Sequence, residues 1–260
     1  MKKTLIILFI LISGFLFTTH AQITTEEIEY RNGETTMKGF LAYDASSIEK
    51  RPGILVVHEW WGHNDYARKR AKMLAELGYV AFAVDMYGDG KKAEHPEDAG
   101  KFAGEVMKNF SSAKERFNAG MDVLKDFKFT DDEKIGAIGY CFGGGIVLNM
   151  ARTGAELDGV VSFHGSLNSA VSDTDIKGKI LVCNGADDGF VPAEQIETFK
   201  KEMEENEVDY KFVNYEGAKH SFTSPDADKY AEKFSMPIAY NKEADEKSWA
   251  DMKEFFNKVF

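Results

Sequence analysis

The chain has 260 residues, 43% of them hydrophobic and 29% charged, which is enough for one large α/β core without a second domain. Its 43 acidic residues against 32 basic ones leave a formal charge of −11, so nucleic acid and anionic membrane surfaces are not expected partners. Two cysteines allow at most one intramolecular disulfide, and the residues around each point elsewhere.

Lys2 and Lys3 precede an apolar run over residues 5–17, and the small-residue site Thr19-His20-Ala21 follows. These are the three parts of a secretory signal. The run is 13 residues long, short of the ~20 that a membrane-spanning helix needs. Residues 1–21 are therefore expected to be cleaved, leaving residues 22–260 as a single domain. The protein is then exported, periplasmic or extracellular, with no membrane attachment after cleavage.

Residues 26–30 and 35–43 flank Asn32-Gly33, a hairpin signal. Residues 53–58 form a continuous apolar run, as expected of a strand buried on both faces. A helix follows over residues 65–77, stopped by Gly78, and residues 79–84 make the next buried strand. Residues 112–127 read as a helix with Phe117, Met121 and Leu124 on its apolar side. Further strands are expected at 135–139, 157–163, 180–183 and 210–213, and a closing helix at 243–259. Such alternation predicts an α/β fold, a mostly parallel sheet of about eight strands with helices on both faces. Ligands of such sheets bind beyond the carboxyl ends of the strands.

After the strand at 135–139 comes Gly139-Tyr140-Cys141-Phe142-Gly143-Gly144-Gly145, then an apolar helix. This is G-x-C-x-G between strand and helix, the pattern of a nucleophile elbow, where the flanking positions must be nearly free of side chain. The turn lifts the sulfur to a helix N-terminus, which lowers a thiol's pKa, and offers the Phe142 N–H to an oxyanion. No Lys-Ser or Lys-Thr follows, so a P-loop is excluded. On the turn alone, a buried structural cysteine stays open as the alternative.

The strand at 180–183 runs into Asn184-Gly185-Ala186-Asp187-Asp188-Gly189. Either aspartate is placed to orient an imidazole, although paired turn aspartates are common without a role. His220 follows the last strand, so nucleophile, acid and histidine occur in the α/β-hydrolase order. Upstream, His58 leads into Glu59-Trp60-Trp61-Gly62. Esterases place an oxyanion N–H in this loop, and Trp60 is the candidate beside Phe142. Glu59 is either a solvated loop carboxylate or a group that controls the thiol.

Taken together, Gly139 to Gly144, Val56-Val57-His58-Glu59, the turn from Asp188 to Pro192, and Gly217-Ala218-Lys219-His220-Ser221-Phe222 resemble dienelactone hydrolase motifs, in that family's order. The resemblance runs from about Gly53 to the C-terminus and implies the α/β-hydrolase fold. It implies a carboxylic ester or lactone hydrolase with the triad Cys141, Asp188 and His220, acting through an acyl-enzyme on a small-molecule substrate without a cofactor. Counting back from Val191-Pro192 identifies Asp188 as the acid. Glu59 would pair with the resting thiol and take its proton when substrate arrives. Members that cleave dienelactone carry two arginines for the substrate carboxylate; the corresponding positions here read Asp89 and Ser224. Lys91 and Lys92 are the nearby replacements, so the chemistry transfers further than the substrate.

Trp61, Tyr87, His164 and Phe222 are further candidates for touching substrate. Cys183 lies within a strand and is expected to pack as a small hydrophobe. His58, His63 and His95 lack metal-ligand spacing, so no metal is expected. The oligomer is read as monomer or homodimer. Two rival functions stand beside this one. A glutamine-amidotransferase-like protein also joins an upstream Glu to an elbow Cys, but its His directly follows the elbow, where this chain has Phe142. A non-catalytic binding module on the same fold is the other.

Overall fold

The computed structural model describes residues 21–172 and 174–260. The proposed export signal lies outside the described residues except for Ala21. A single eight-stranded sheet organises the domain: β1 (Ile23–Asn32), β2 (Thr35–Asp44), β3 (Arg51–Val57), β4 (Val80–Val84), β5 (Thr130–Tyr140), β6 (Gly159–Phe163), β7 (Lys179–Gly185) and β8 (Tyr210–Tyr215). Its spatial order is β1-β2-β4-β3-β5-β6-β7-β8. β1–β2 and β2–β4 are antiparallel and every other pairing is parallel.

Residues 53–57 of β3 and all of β4 are apolar and buried because both faces of the sheet are covered there. On β3, Leu55 and Val57 join one core while Ile54 and Val56 join the other, the period-two alternation of a pleated strand. The helices α3 (Phe110–Asp126), α4 (Phe142–Arg152) and α5 (Ala193–Glu205) cover the first face. The helices α1 (Asp65–Glu76) and α7 (Lys242–Val259) cover the second. Asn64 caps α1, its side chain accepting the Tyr66 and Ala67 N–H groups.

Three local features differ from the sequence reading. Asn32 pairs with Thr35, so the hairpin turns at Gly33-Glu34, and Gly33 supplies the positive φ of 57°. β5 starts five residues early, because Thr130 and Asp131 pair with Arg51 and Pro52 across a bulge. Two helices beside the carboxyl ends of the strands, α2 (Pro96–Lys108) and α6 (Ala227–Phe234), complete the fold. Pro96 at the start of α2, with Glu97 and Asp98 in its first turn, is the signal that marks it.

Candidate active site

Cys141 stands between the end of β5 and the start of α4 with φ 52° and ψ −114°, a conformation that L-residues rarely adopt. The neighbouring glycines permit it. A Cβ on Gly139 would lie 2.1 Å from the Gly143 carbonyl oxygen, and one on Gly143 would lie 2.3 Å from that of Val57. Both obstacles are backbone, which cannot swing aside. The elbow is thus packed against the end of β3 by the absence of side chains.

Asp188 follows β7 and His220 follows β8, and the parallel sheet brings both turns beside the elbow. His220 Nε2 lies 3.1 Å from Cys141 Sγ, and its Nδ1 lies 2.8 Å from Asp188 Oδ2. The Phe190 N–H donates to the other oxygen, Asp188 Oδ1, at 2.9 Å. Burial opposes the His220 cation, but the Cys141 sulfur and the Asp188 carboxylate outweigh it and raise its pKa to about 10. Asp188 is buried, whereas Asp187 is exposed and only its N–H is engaged, by the Ala218 carbonyl.

Glu59 is buried, and burial pushes its carboxyl up to about 7 against the opposing pull of His220, Ser221 and Arg70. Its Oε1 has no hydrogen-bond partner among the described residues. The sulfur is paired with His220, and Glu59 faces Ser221. Neither the Trp60 N–H nor the Phe142 N–H has an acceptor among the described residues, which leaves both free for a developing oxyanion.

A cleft of about 390 Å³ opens over the sulfur. Its apolar wall comes from Trp60, Phe142, Phe190 and Val191, together with Met107 of α2 and Met236 beyond α6. Among the described residues, no Asp, Glu, Lys or Arg lines it. Lys91 is paired with Asp89 at 3.8 Å, Lys92 bridges to Gly62, and Ser224 is buried, so none of these joins the cleft wall. Met107 and Met236 were missed because their elements lay in stretches without a clear apolar period.

Four of the sequence candidates stand behind the cleft instead of in it. Trp61 is buried and stacks on Tyr230 of α6, with ring centroids 4.4 Å apart. Tyr87 packs on Phe142 and donates its hydroxyl to the Trp60 carbonyl at 2.9 Å, so it braces the loop after β3. Phe222 is fully buried against Tyr215 and His164. His164 is fully buried beneath the elbow, and its Nδ1 accepts the Cys141 N–H at 3.1 Å.

The remaining polar candidates serve the backbone. His58 Nδ1 donates to the Glu59 carbonyl at 2.6 Å and its Nε2 accepts the Met86 N–H at 3.2 Å, so it is a neutral brace. His63 bonds the Lys38 carbonyl and burial pushes its pKa down to about 3. His95 caps α2. Cys183 is a free, buried thiol, pushed up to about 12 by burial, its sulfur 3.5 Å from the Tyr215 hydroxyl, which donates to Asp251 Oδ2 at 2.8 Å. Asp85, which the sequence reading passed over, is buried and accepts the N–H groups of Lys38, Tyr87, Gly88 and Gly90, shaping the loop after β4.

Known proteins carry the same arrangement of strands. The solved structure of a dienelactone hydrolase-like promiscuous phosphotriesterase from metagenomic libraries is 33% identical, with a TM-score of 0.85, covering 92% of this chain and 99% of its own. The structure of m3DLH is 35% identical at a TM-score of 0.86, with the same coverage. Among curated proteins, the protein usf of Aquifex pyrophilus is 31% identical over 201 residues, 75% of this chain and 85% of its own length. A protein of Aquifex aeolicus provisionally named a carboxymethylenebutenolidase is 28% identical over the same shares. The dienelactone hydrolase family profile matches residues 37–260, and with an eight-stranded α/β-hydrolase sheet of the kind seen in its relatives, this chain belongs to the dienelactone hydrolase family.

Proposed function

We propose that this hydrolase cleaves a neutral carboxylic ester or lactone through a thiol nucleophile and an acyl-enzyme. The observation that carries this reading is the continuous contact from Asp188 through His220 to Cys141, at 2.8 and 3.1 Å, on the floor of a cleft that no Asp, Glu, Lys or Arg lines among the described residues. Membership of the family and its carboxymethylenebutenolidase relatives support ester or lactone chemistry.

In the first half-reaction the Cys141 thiol gives its proton to Nε2 of His220, the sulfur attacks the carbonyl carbon, a C–S bond forms, and the carbonyl π pair moves onto oxygen. The Trp60 and Phe142 N–H groups receive that oxyanion. Collapse expels the alkoxide, which takes a proton from Nε2 of His220. In the second half-reaction neutral His220 removes a proton from water, the hydroxide attacks the thioester, and the C–S bond breaks to release the acid. Asp188 holds Nδ1–H throughout and stabilises the cation whenever it forms.

The test is turnover of p-nitrophenyl esters, coupled to intact-mass analysis of rapidly quenched samples. A mass gain equal to the acyl group on Cys141, with turnover lost in Cys141→Ala, is the expected result. Undiminished turnover in Cys141→Ala overturns the mechanism.

Export belongs to the same reading, supported by Lys2, Lys3 and the apolar run over residues 5–17. N-terminal sequencing of the protein from its native host should begin at Gln22, and a start at residue 1 or 2 overturns export.

A further inference from the structure

Beneath the elbow lies a second buried chain of hydrogen bonds, on residues that touch neither the sulfur nor the cleft. The Cys141 N–H points between two acceptors, the Phe163 carbonyl at 3.0 Å and His164 Nδ1 at 3.1 Å. Because that N–H is a donor, Nδ1 must carry the lone pair, so the neutral ring holds its proton on Nε2. Nε2–H then donates to Thr223 Oγ1 at 2.8 Å. Burial, reinforced by the nearby His220 cation and Arg70, holds the His164 pKa well below its ordinary value. The ring therefore stays neutral beside His220, whose centroid is 5.3 Å away.

Thr223 lies three residues beyond His220 on the same loop, and Ser221 between them has φ 60°. It is anchored in turn. Its Oγ1 meets the Tyr66 hydroxyl at 2.6 Å, and its carbonyl accepts from Arg70 Nη2 at 2.8 Å. Arg70 also donates to the Tyr66 oxygen at 3.2 Å and is ion-paired with Asp245 of α7 at 2.5 Å. His164 itself sits at φ 39°, an unfavourable conformation for a residue with a side chain, and its two ring contacts hold it there.

We propose that His164 and Thr223 are positioning residues, a neutral strut that sets the Cys141 sulfur against His220 Nε2. This rests on the thiol mechanism proposed above. The strut ties the turn that carries the nucleophile to the loop that carries the base, and α1 and α7 brace its far end. Each end alone is a strained turn free to relax. Joined through one imidazole of fixed tautomer, the two keep the 3.1 Å separation on which proton exchange depends.

The experiment uses the whole protein and the variants Thr223→Val, Thr223→Ser, His164→Asn and the double variant His164→Asn/Thr223→Val. Valine keeps the shape of threonine without the hydroxyl, and serine keeps the hydroxyl without the methyl. The shorter amide side chain of His164→Asn retains an acceptor for the Cys141 N–H but does not reach Thr223. Two quantities are read: kcat and KM on a p-nitrophenyl ester, and the pH profile of Cys141 alkylation by iodoacetamide.

Thr223→Val should lower kcat roughly tenfold, short of the ~100-fold that a 1 Å misplacement costs, with KM nearly unchanged. Its alkylation profile should shift to higher pH, because the thiolate has lost its aligned cation. Thr223→Ser should restore both quantities. The double variant should be no worse than Thr223→Val, as expected of residues acting in series. A parent-like Thr223→Val, a Thr223→Ser as impaired as the valine variant, or losses that multiply in the double variant would each overturn the strut. If near-ultraviolet circular dichroism shows Thr223→Val to be misfolded, Tyr66→Phe takes its place, with a smaller shift in the same direction expected and no shift counting against the proposal. Retained ester turnover in Cys141→Ala would end the thiol mechanism separately, and the alkylation profile would still report on the strut.

Discussion

Asp188 Oδ2 lies 2.8 Å from His220 Nδ1, while the adjacent Asp187 turns its side chain to solvent. Two consecutive carboxylates in one turn therefore have different surroundings. Losing the acid of a serine triad costs on the order of 10⁴ in kcat. A thiol needs less help from its base, so Asp188→Asn should lower ester kcat by roughly 10- to 1000-fold. Asp187→Asn should stay within a few-fold of the parent. A crippled Asp187→Asn with a healthy Asp188→Asn would reverse the assignment.

Cys141 and His220 act as one unit in the proposed mechanism, so their losses should not add. Cys141→Ala and His220→Ala should each remove most turnover on p-nitrophenyl esters. The double variant should be little worse than either single one. Multiplying losses would mean that the two residues contribute independently.

The side chain of Glu59 is buried with one oxygen unpartnered among the described residues, and its pKa rises from 4.5 to about 7. A carboxyl raised in the folded state favours folding only while protonated. The parent should therefore lose stability relative to Glu59→Gln as pH rises from about 4.5 through about 7. Thermal unfolding at pH 5 and pH 8 checks this, with the Tm advantage of Gln expected to be larger at pH 8. An advantage that is the same at both pH values would place the carboxylate in water. In iodoacetamide alkylation, the parent should show an inflection near pH 7 that Glu59→Gln lacks, if the carboxylate governs the thiol.

Charge recognition is absent from the cleft wall, because no Lys or Arg lines it among the described residues. An anionic substrate would give up its hydration there, and the His220 cation on the cleft floor is already held by Asp188 and the Cys141 sulfur. Neutral short-chain aryl esters should accordingly show a higher kcat/KM than a carboxylate-bearing dienelactone. The opposite ranking would mean that a cation reaches the cleft from elsewhere.

The elbow tolerates no added atom at Gly143. A Cβ there would meet the Val57 and His58 carbonyl oxygens at 2.3 and 2.7 Å. Gly143→Ala must move β3 or the elbow, at a cost of about 1–3 kcal/mol for forced overpacking. Ester turnover should fall at least as far as in Asp188→Asn, with a lowered Tm. Parent-like activity would show that the elbow can shift without harm.

Much of the sheet was legible as local pattern. The runs at 53–57, 79–84 and 180–183 are apolar because strands between two helical layers are buried on both faces, and no distant contact is needed to recognise that. Gly139 and Gly143 around Cys141, and the order Cys141, Asp188, His220, were equally plain, since a turn that excludes side chains must be written in glycine. The directions of side chains were not. Trp61, Tyr87, His164 and Phe222 follow strand ends just as Trp60 does, yet packing against Tyr230, Phe142, the Cys141 N–H and Tyr215 turns them away from the cleft. Asp187 and Asp188 are alike as residues, and only the turn geometry after β7 buries one of them against His220. Met107 of α2 and Met236, just beyond α6, reach the cleft from segments far apart in the chain, and Thr223 becomes a partner of His164 across 59 residues. Sequence order and glycine placement determine which turns meet at the carboxyl ends of the strands. The side chains that face the substrate are decided by contacts between elements that share no local pattern.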